Sequence, residues 1–153
     1  MKYEITAPVF SSQISMYLIS ILLALIVIVL VSTTHYKLEL TNEKVIIKSI
    51  LYNTNIGYDK INLEGLRLVN LNEEGIKIYT RTNGIGLPGI SIGWFSSGGK
   101  KYKLYLTNRE KVLYIPKIFN YDILFSTDKG EEIIETIEKW NKVQNSNLSI
   151  SIK

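Results

Sequence analysis

The chain has 153 residues, a length that fits one domain with a modest core. It contains no cysteine and a single histidine, His35, which excludes disulfides, thiol catalysis, thiolate metal sites and multi-histidine zinc sites. The net charge of +4 suits contact with an anionic membrane face. It falls short of the dense basic stripe of a nucleic-acid binder, so no nucleic-acid partner is expected.

An apolar segment lies near the amino terminus. Residues 14–31 read ISMYLISILLALIVIVLV and include no charged residue. At about 1.5 Å per residue, a helix of this length extends roughly 27 Å, close to the ~30 Å hydrocarbon core of a bilayer. The pattern predicts a transmembrane helix over residues 13–34, with a buried core helix and a cleaved signal peptide as alternatives. Residues assigned to the span include Ile14, Tyr17, Leu18, Leu22, Leu25, Val29 and Val31.

The charges that flank this segment predict its orientation. It is preceded by Lys2 and the terminal amine, and followed by Lys37, Lys44 and Lys48. By the positive-inside rule, the C-terminal domain is expected in the cytoplasm and residues 1–12 form a short extracytoplasmic segment. The expected location is the cell membrane, crossed once.

Behind the apolar segment, the period of the apolar residues changes from helical to alternating, which predicts strands joined by polar turns. The predicted strands are 36–40, 45–48, 65–71, 75–81, 101–106, 111–115 and 121–125. Short strands at even spacing predict a mainly β fold, an antiparallel barrel or sandwich over residues 35–142.

A helical period returns near the carboxyl terminus. Apolar residues at Ile133, Ile134, Ile137 and Trp140 form one stripe, and capping residues precede it at 126–128. This pattern predicts a helix that packs against the sheet. Residues 143–153 are expected to form a flexible tail.

The glycine-rich stretch at residues 84–89 reads GIGLPG and matches the G-x-G-x-x-G pattern of dinucleotide-binding folds. Those folds require a helix after the third glycine within a βαβ unit, whereas the residues after Gly89 alternate like a strand. The stretch is therefore interpreted as a bend between two strands.

No cofactor or metal is expected, and the absence of a recognisable nucleophile or acid–base pair predicts that the chain is not an enzyme.

Residues 81–108 resemble the signature of a bacterial pleckstrin-homology-like (PH-like) domain family. The resemblance lies in the glycine–proline loop, the pair Trp94 and Phe95, and a strand that ends at Thr107. It extends over roughly residues 36–141, and it implies a bent seven-stranded barrel capped by a C-terminal helix. The turn at 41–44 carries one lysine and a glutamate, so phosphoinositide binding is not expected.

The overall layout also resembles the family of the sublancin immunity protein. The members of that family are small single-pass membrane proteins with a PH-like domain. This resemblance implies a membrane-anchored immunity protein that protects a producer cell from a bacteriocin or toxin, by contact with the toxin or its membrane target. The alternative is a general membrane-tethered module that binds a protein partner. A homo-oligomer is a further expectation left open.

Two sets of residues are candidates for these contacts. The candidate partner-binding residues are Leu87, Pro88, Gly89, Ile90, Trp94 and Phe95. The alternative is that most of them fill the barrel, with Trp94 the most exposed. The candidate anionic-lipid contacts are Lys37, Lys44, Lys48, Lys100, Lys101 and Lys103.

Overall fold

The structure is a computed structural model that describes residues 12–33, 35–75, 80–118 and 120–151. The chain divides into two compact units, residues 1–33 and residues 34–153. Most of the predicted extracytoplasmic segment, residues 1–11, lies outside the described residues.

The first unit contains a single described helix, α1 (Ser12–Thr33). Most of its residues are apolar and none is charged. The described side chains assigned to the span are exposed: Ile14, Tyr17, Leu18, Leu22, Leu25 and Val31. The side chain of Val29, also assigned to the span, lies outside the described ones. The helix predicted over 13–34 is therefore present. Judged by length and hydropathy together, no helix in the described ranges qualifies as a membrane span, so the predicted transmembrane span is not confirmed.

In the described residues of the second unit, nine strands form two sheets. The first sheet has the order β1-β2-β3, with β1 (Tyr36–Leu40), β2 (Lys44–Ser49) and β3 (Thr54–Gly57). The second sheet has the order β4-β8-β9-β7-β6-β5. Its strands are β4 (Arg67–Val69), β5 (Thr80–Leu87), β6 (Ile90–Ser97), β7 (Lys100–Leu106), β8 (Val112–Ile115) and β9 (Asp122–Ser126). The resemblance to the PH-like family implied seven strands in one barrel, whereas the described residues form nine strands in two sheets.

One strand pair departs from the predicted antiparallel sheet. β7 and β9 run parallel, with Leu104 opposite Leu124, whereas the other pairs in the described sheets are antiparallel. The chain leaves β7, forms β8 one position further out, and returns as β9 between them. Side-chain alternation specifies which face a residue occupies and says nothing about strand direction, so the sequence pattern could not reveal this pair.

Alternation along the six-stranded sheet creates two apolar clusters. On one face, Ile92, Tyr105 and Ile123 pack with the three-stranded sheet and with the helix α2 (Gly130–Ser151). On the other face, Leu104 and Leu124 belong to a second buried cluster. The strands β6, β7, β8 and β9 therefore contribute buried apolar residues on both faces of the sheet.

Helix α2 is longer than predicted. Its buried Ile133 and Ile137 belong to the predicted apolar stripe, but the helix continues to Ser151 through residues expected to form a flexible tail. Two side chains attach this part of the helix to the rest of the domain. Asn141, just before the predicted tail, donates to the Tyr58 carbonyl at 3.0 Å, and Gln144 within it donates to the carbonyl oxygens of the 42–43 turn.

A candidate partner-binding groove beside the glycine-rich hairpin

The glycine-rich stretch is a hairpin of β5 and β6. Leu87 pairs with Ile90, so the reversal is confined to Pro88 and Gly89. Gly89 has a φ of +78°, a conformation that glycine adopts without strain at this position of a tight turn. Residues 84–87 lie inside β5, which corrects the interpretation of the whole stretch as a bend.

Gly93, in the middle of β6, allows a close approach of three chain segments. Its φ is +114°, and a Cβ atom there would lie 2.6 Å from the Asn83 carbonyl oxygen and 3.1 Å from the Tyr52 ring. Because Gly93 has no side chain, the Tyr52 ring lies against β6 and its hydroxyl donates to Asn83 Oδ1 at 2.9 Å. A β-bulge between Arg81 and Asn83 sets Asn83 opposite Trp94.

A groove of about 920 Å³ opens beside this hairpin, and we call it the Trp94 groove. Its walls include Asn83 of β5, Trp94 of β6, Lys100 and Lys101 of β7, and Tyr121 ahead of β9. The Trp94 and Tyr121 rings meet edge to face, with centroids 4.6 Å apart. Both side chains are half-buried, so each presents part of its ring to solvent.

Two lysines lie against the aromatic wall. Lys103 is only 6% exposed; its ammonium lies 5.1 Å from the Trp94 ring centroid and donates to the Asn53 carbonyl at 2.6 Å. Lys117 Nζ lies 4.2 Å from the Tyr121 ring centroid. Within the described ranges, neither lysine forms an ion pair with a carboxylate. The aromatic wall of the groove is therefore backed by positive charge.

Burial and nearby positive charges lower the pKa values of both lysines. The pKa of Lys103 lies below its ordinary value because the ammonium is buried, and the nearby charge of Lys117 lowers it further. Burial also lowers the pKa of Lys117, with a smaller contribution from Lys60. The site thus holds positive charges close together without a compensating anion among the described residues.

A separate polar cluster neutralises Lys100. Its ammonium lies 2.5 Å from a carboxylate oxygen of buried Asp122, which also accepts hydrogen bonds from the Tyr114 hydroxyl and the Lys117 backbone N–H. The hydrogen bond with Asp122 raises the pKa of Lys100, and burial raises that of Tyr114. The sequence analysis did not select Asp122. The signal was present, since a carboxylate inside the apolar strand 122–126 requires a partner.

The predicted partner-binding residues do not form one surface. Leu87, Pro88 and Gly89 are exposed at the tip of the hairpin, and Ile90 is half-buried against the core. Phe95 is buried in the second apolar cluster, which corrects its assignment to an exposed docking patch. Trp94 lies instead in the groove, next to Tyr121, which the sequence analysis did not select.

The predicted lipid-contact lysines are also dispersed. Lys37 and Lys48 both form ion pairs with Glu39, at 3.5 and 2.6 Å, and Lys44 is half-buried on β2. Lys103 is buried, so its predicted contact with lipid headgroups is wrong. Lys101 is exposed and borders the Trp94 groove. In the part of the chain that the structure describes, no group of three acidic or histidine side chains is placed to hold a metal ion.

Two sheets packed together and closed by a C-terminal helix define a mainly β, PH-like domain. Residues 36–141 match the Bacterial PH domain family, and the chain belongs to that family. The PH-like family and fold predicted from the sequence are thereby confirmed. No curated protein and no solved structure matches the chain significantly, and the resemblance to the sublancin immunity family is not confirmed.

Proposed function

We propose that the chain is a non-enzymatic module that binds a protein partner through the Trp94 groove. The observation that supports this proposal is the pairing of the accessible Trp94 and Tyr121 rings, backed by buried Lys103. Tryptophan and tyrosine provide large, rigid contact areas and are enriched among the residues that dominate binding energy at interfaces.

The chemistry of the groove favours binding over catalysis. Asp122 is the carboxylate nearest to Lys100, and it is already engaged by Lys100, Tyr114 and a backbone N–H. General acid–base catalysis requires a matched donor and acceptor within reach of the substrate. A groove of aromatic rings and lysines offers contact area and charge instead.

Photo-crosslinking in cells that express the native chain tests the groove as a binding site. A photoreactive amino acid at Thr82 or Lys101, both on the groove rim, should yield a discrete protein adduct. The same amino acid at Lys129, an exposed position elsewhere on the domain, should not. Trp94→Ala should reduce the adduct from Lys101 about tenfold, as expected for loss of a central aromatic contact.

Thermal melting of the variants provides the folding control, since Trp94 is half-buried. An adduct from Lys129 with none from the groove positions would overturn the proposal. So would an adduct that persists at full yield in a folded Trp94→Ala variant.

A second candidate function rests on α1. Its apolar side chains are exposed around the helix, with Tyr17 71% and Leu22 59% exposed. Contiguous apolar surface of this kind marks a site of protein or membrane contact. We propose that α1 holds the chain at a membrane, where the predicted immunity role against a bacteriocin or its membrane target would operate. The predicted orientation, with residues 1–12 outside, and the homo-oligomer stay predictions.

Changes in the amino-terminal residues test this second function. Cells that express the full chain should survive challenge with sublancin, measured as growth inhibition, and deletion of residues 1–12 or scrambling of residues 14–31 should abolish protection. The matched control is the double variant Lys139→Ala and Lys142→Ala on the exposed surface of α2, which should leave protection intact. Protection by residues 34–153 alone would contradict a role for α1 in immunity.

A further inference from the structure

The free edge of the six-stranded sheet lies next to the Trp94 groove. β5 is the outermost strand; it pairs with β6 on one side, and in the described ranges no strand pairs with it on the other. The backbone N–H and C=O groups along that outer side are therefore available to another extended chain. Such edges are templates for strand addition.

β5 carries few of the features that normally protect an edge strand. It is eight residues long, largely exposed, and has neither lysine nor proline within it. Its one charged residue is Arg81, next to the bulge that ends at Asn83. Beyond the bulge, residues 83–87 keep regular pairing with β6 as far as the turn. This leaves a regular stretch of open edge.

The charges around this edge are positive. Lys101 is exposed on the rim of the groove, Arg81 is exposed on β5, and Lys103 and Lys117 lie behind the aromatic wall. The Asp122 carboxylate forms an ion pair with Lys100 at 2.5 Å. A bound anion would relieve the repulsion between the unpaired lysines, so charge complementarity selects an acidic occupant.

We propose that the partner contributes an acidic segment in extended conformation, which adds as a strand to β5 and places carboxylates at the Trp94 groove. In an extended chain every second side chain points to the same face, at a spacing of about 6.8 Å. Glutamate or aspartate at alternate positions then lies at the β5 side of the groove, on the face of the sheet that carries Trp94, while the backbone pairs with β5. Lys101 is two strands away from β5, on β7, so it attracts these carboxylates through its field and not by direct contact. This inference rests on the proposed function and names the chemistry of its partner.

Peptide binding to the full chain in a neutral detergent tests the charge requirement. The probe is a synthetic peptide as long as β5 with alternating Glu and Thr, and its counterpart has Lys in place of Glu. Trp140→Phe leaves Trp94 as the single tryptophan reporter, because the chain contains two tryptophans. The acidic peptide should shift Trp94 fluorescence on binding, and the basic counterpart should not.

Two charge reversals provide the matched comparison. Lys101→Glu should weaken binding of the acidic peptide by about threefold, because it replaces an attraction across β5 and β6 with a repulsion. Lys129→Glu makes the same change in net charge at an exposed site outside the groove, and it should leave the affinity unchanged. Equal weakening by both variants would contradict a local effect of the charge at the groove.

Hydrogen exchange of the β5 amides tests strand addition itself. The acidic peptide should slow exchange of outward-facing amides within residues 82–87. If the peptide binds and shifts Trp94 without protecting β5, the strand inference fails and the proposed function survives. If crosslinking from Lys101 finds no partner in cells, the proposed function fails regardless of the peptide result.

The remaining occupants are outcomes of the same experiment. The full chain is placed in phosphatidylcholine vesicles, with or without phosphatidylglycerol. If the anionic lipid alone shifts Trp94 fluorescence and prevents peptide binding, a membrane occupies the groove and the inference is overturned. Protection of β5 that rises with protein concentration and without peptide would identify a second copy at the edge, with the same consequence.

Discussion

Gly93→Ala should lower the free energy of unfolding by about 4 kcal/mol, a large effect for a single methyl group. The φ of +114° is strained for any residue with a side chain, and the new Cβ would lie 2.6 Å from the Asn83 carbonyl oxygen and 2.7 Å from Gly84 Cα. These are backbone atoms of the neighbouring strand, so they cannot rotate away. Denaturant titration of the full chain in detergent measures the loss.

Gly89→Ala is the matched control. Gly89 also has a positive φ, +78°, but a Cβ there would meet nothing within 4 Å. Only the backbone strain remains, and the expected loss is about 1 kcal/mol. If the two variants lose the same stability, the close approach of β5, β6 and Tyr52 is not the reason that glycine is required at position 93.

The parts of the fold that the sequence predicted are those specified by local patterns. Alternation at residues 36–40 and 45–48 predicted the first hairpin, and the structure has β1 and β2 there. The stripe of Ile133 and Ile137 predicted α2, because residues at helical spacing bury one face. Neither prediction required knowledge of what the element packs against.

β3 was missed because its flanking residues have turn chemistry. Asn53 and Asn55 favour a loop, yet Thr54 and Ile56, which alternate with them, are buried and pair with β2. The Asn53 side chain accepts a hydrogen bond from the Ser49 N–H at 2.8 Å, so its polarity serves the turn into the strand. Tertiary burial of two residues outweighed local propensity here.

The groove was only partly predictable because its walls come from distant parts of the chain. Trp94 stood out as an aromatic residue in a glycine-rich segment, but Tyr121 and Lys117 lie in the connection between β8 and β9. They reach Trp94 because β9 inserts next to β7, a pairing that side-chain alternation does not encode. For the same reason, Lys103 was predicted at the surface and is buried.

Asp122→Asn should destabilise the fold by about 3 kcal/mol, because it removes the charge that offsets Lys100 and leaves polar groups in the buried cluster badly matched. Asp122 is 3% exposed, and it accepts from Lys100, the Tyr114 hydroxyl and the Lys117 N–H. Thermal and denaturant unfolding of the full chain measure the loss. Asp128→Asn is the control: its ion pair with Lys111 at 2.9 Å is exposed, so the expected loss is below about 1 kcal/mol.

The pH dependence of the stability difference between the native chain and Asp122→Asn tests whether the Lys100–Asp122 ion pair causes that difference. Asp122 raises the pKa of Lys100 above its ordinary 10.5, so the folded state holds the proton more tightly than the unfolded state. The contribution of the pair is therefore complete below pH 10.5 and is lost as the pH rises through the raised pKa. The stability gap between the native chain and Asp122→Asn should stay constant near neutrality and narrow in alkali. A gap that stayed the same in alkali would place the effect in packing around Tyr114 instead, because packing binds no proton.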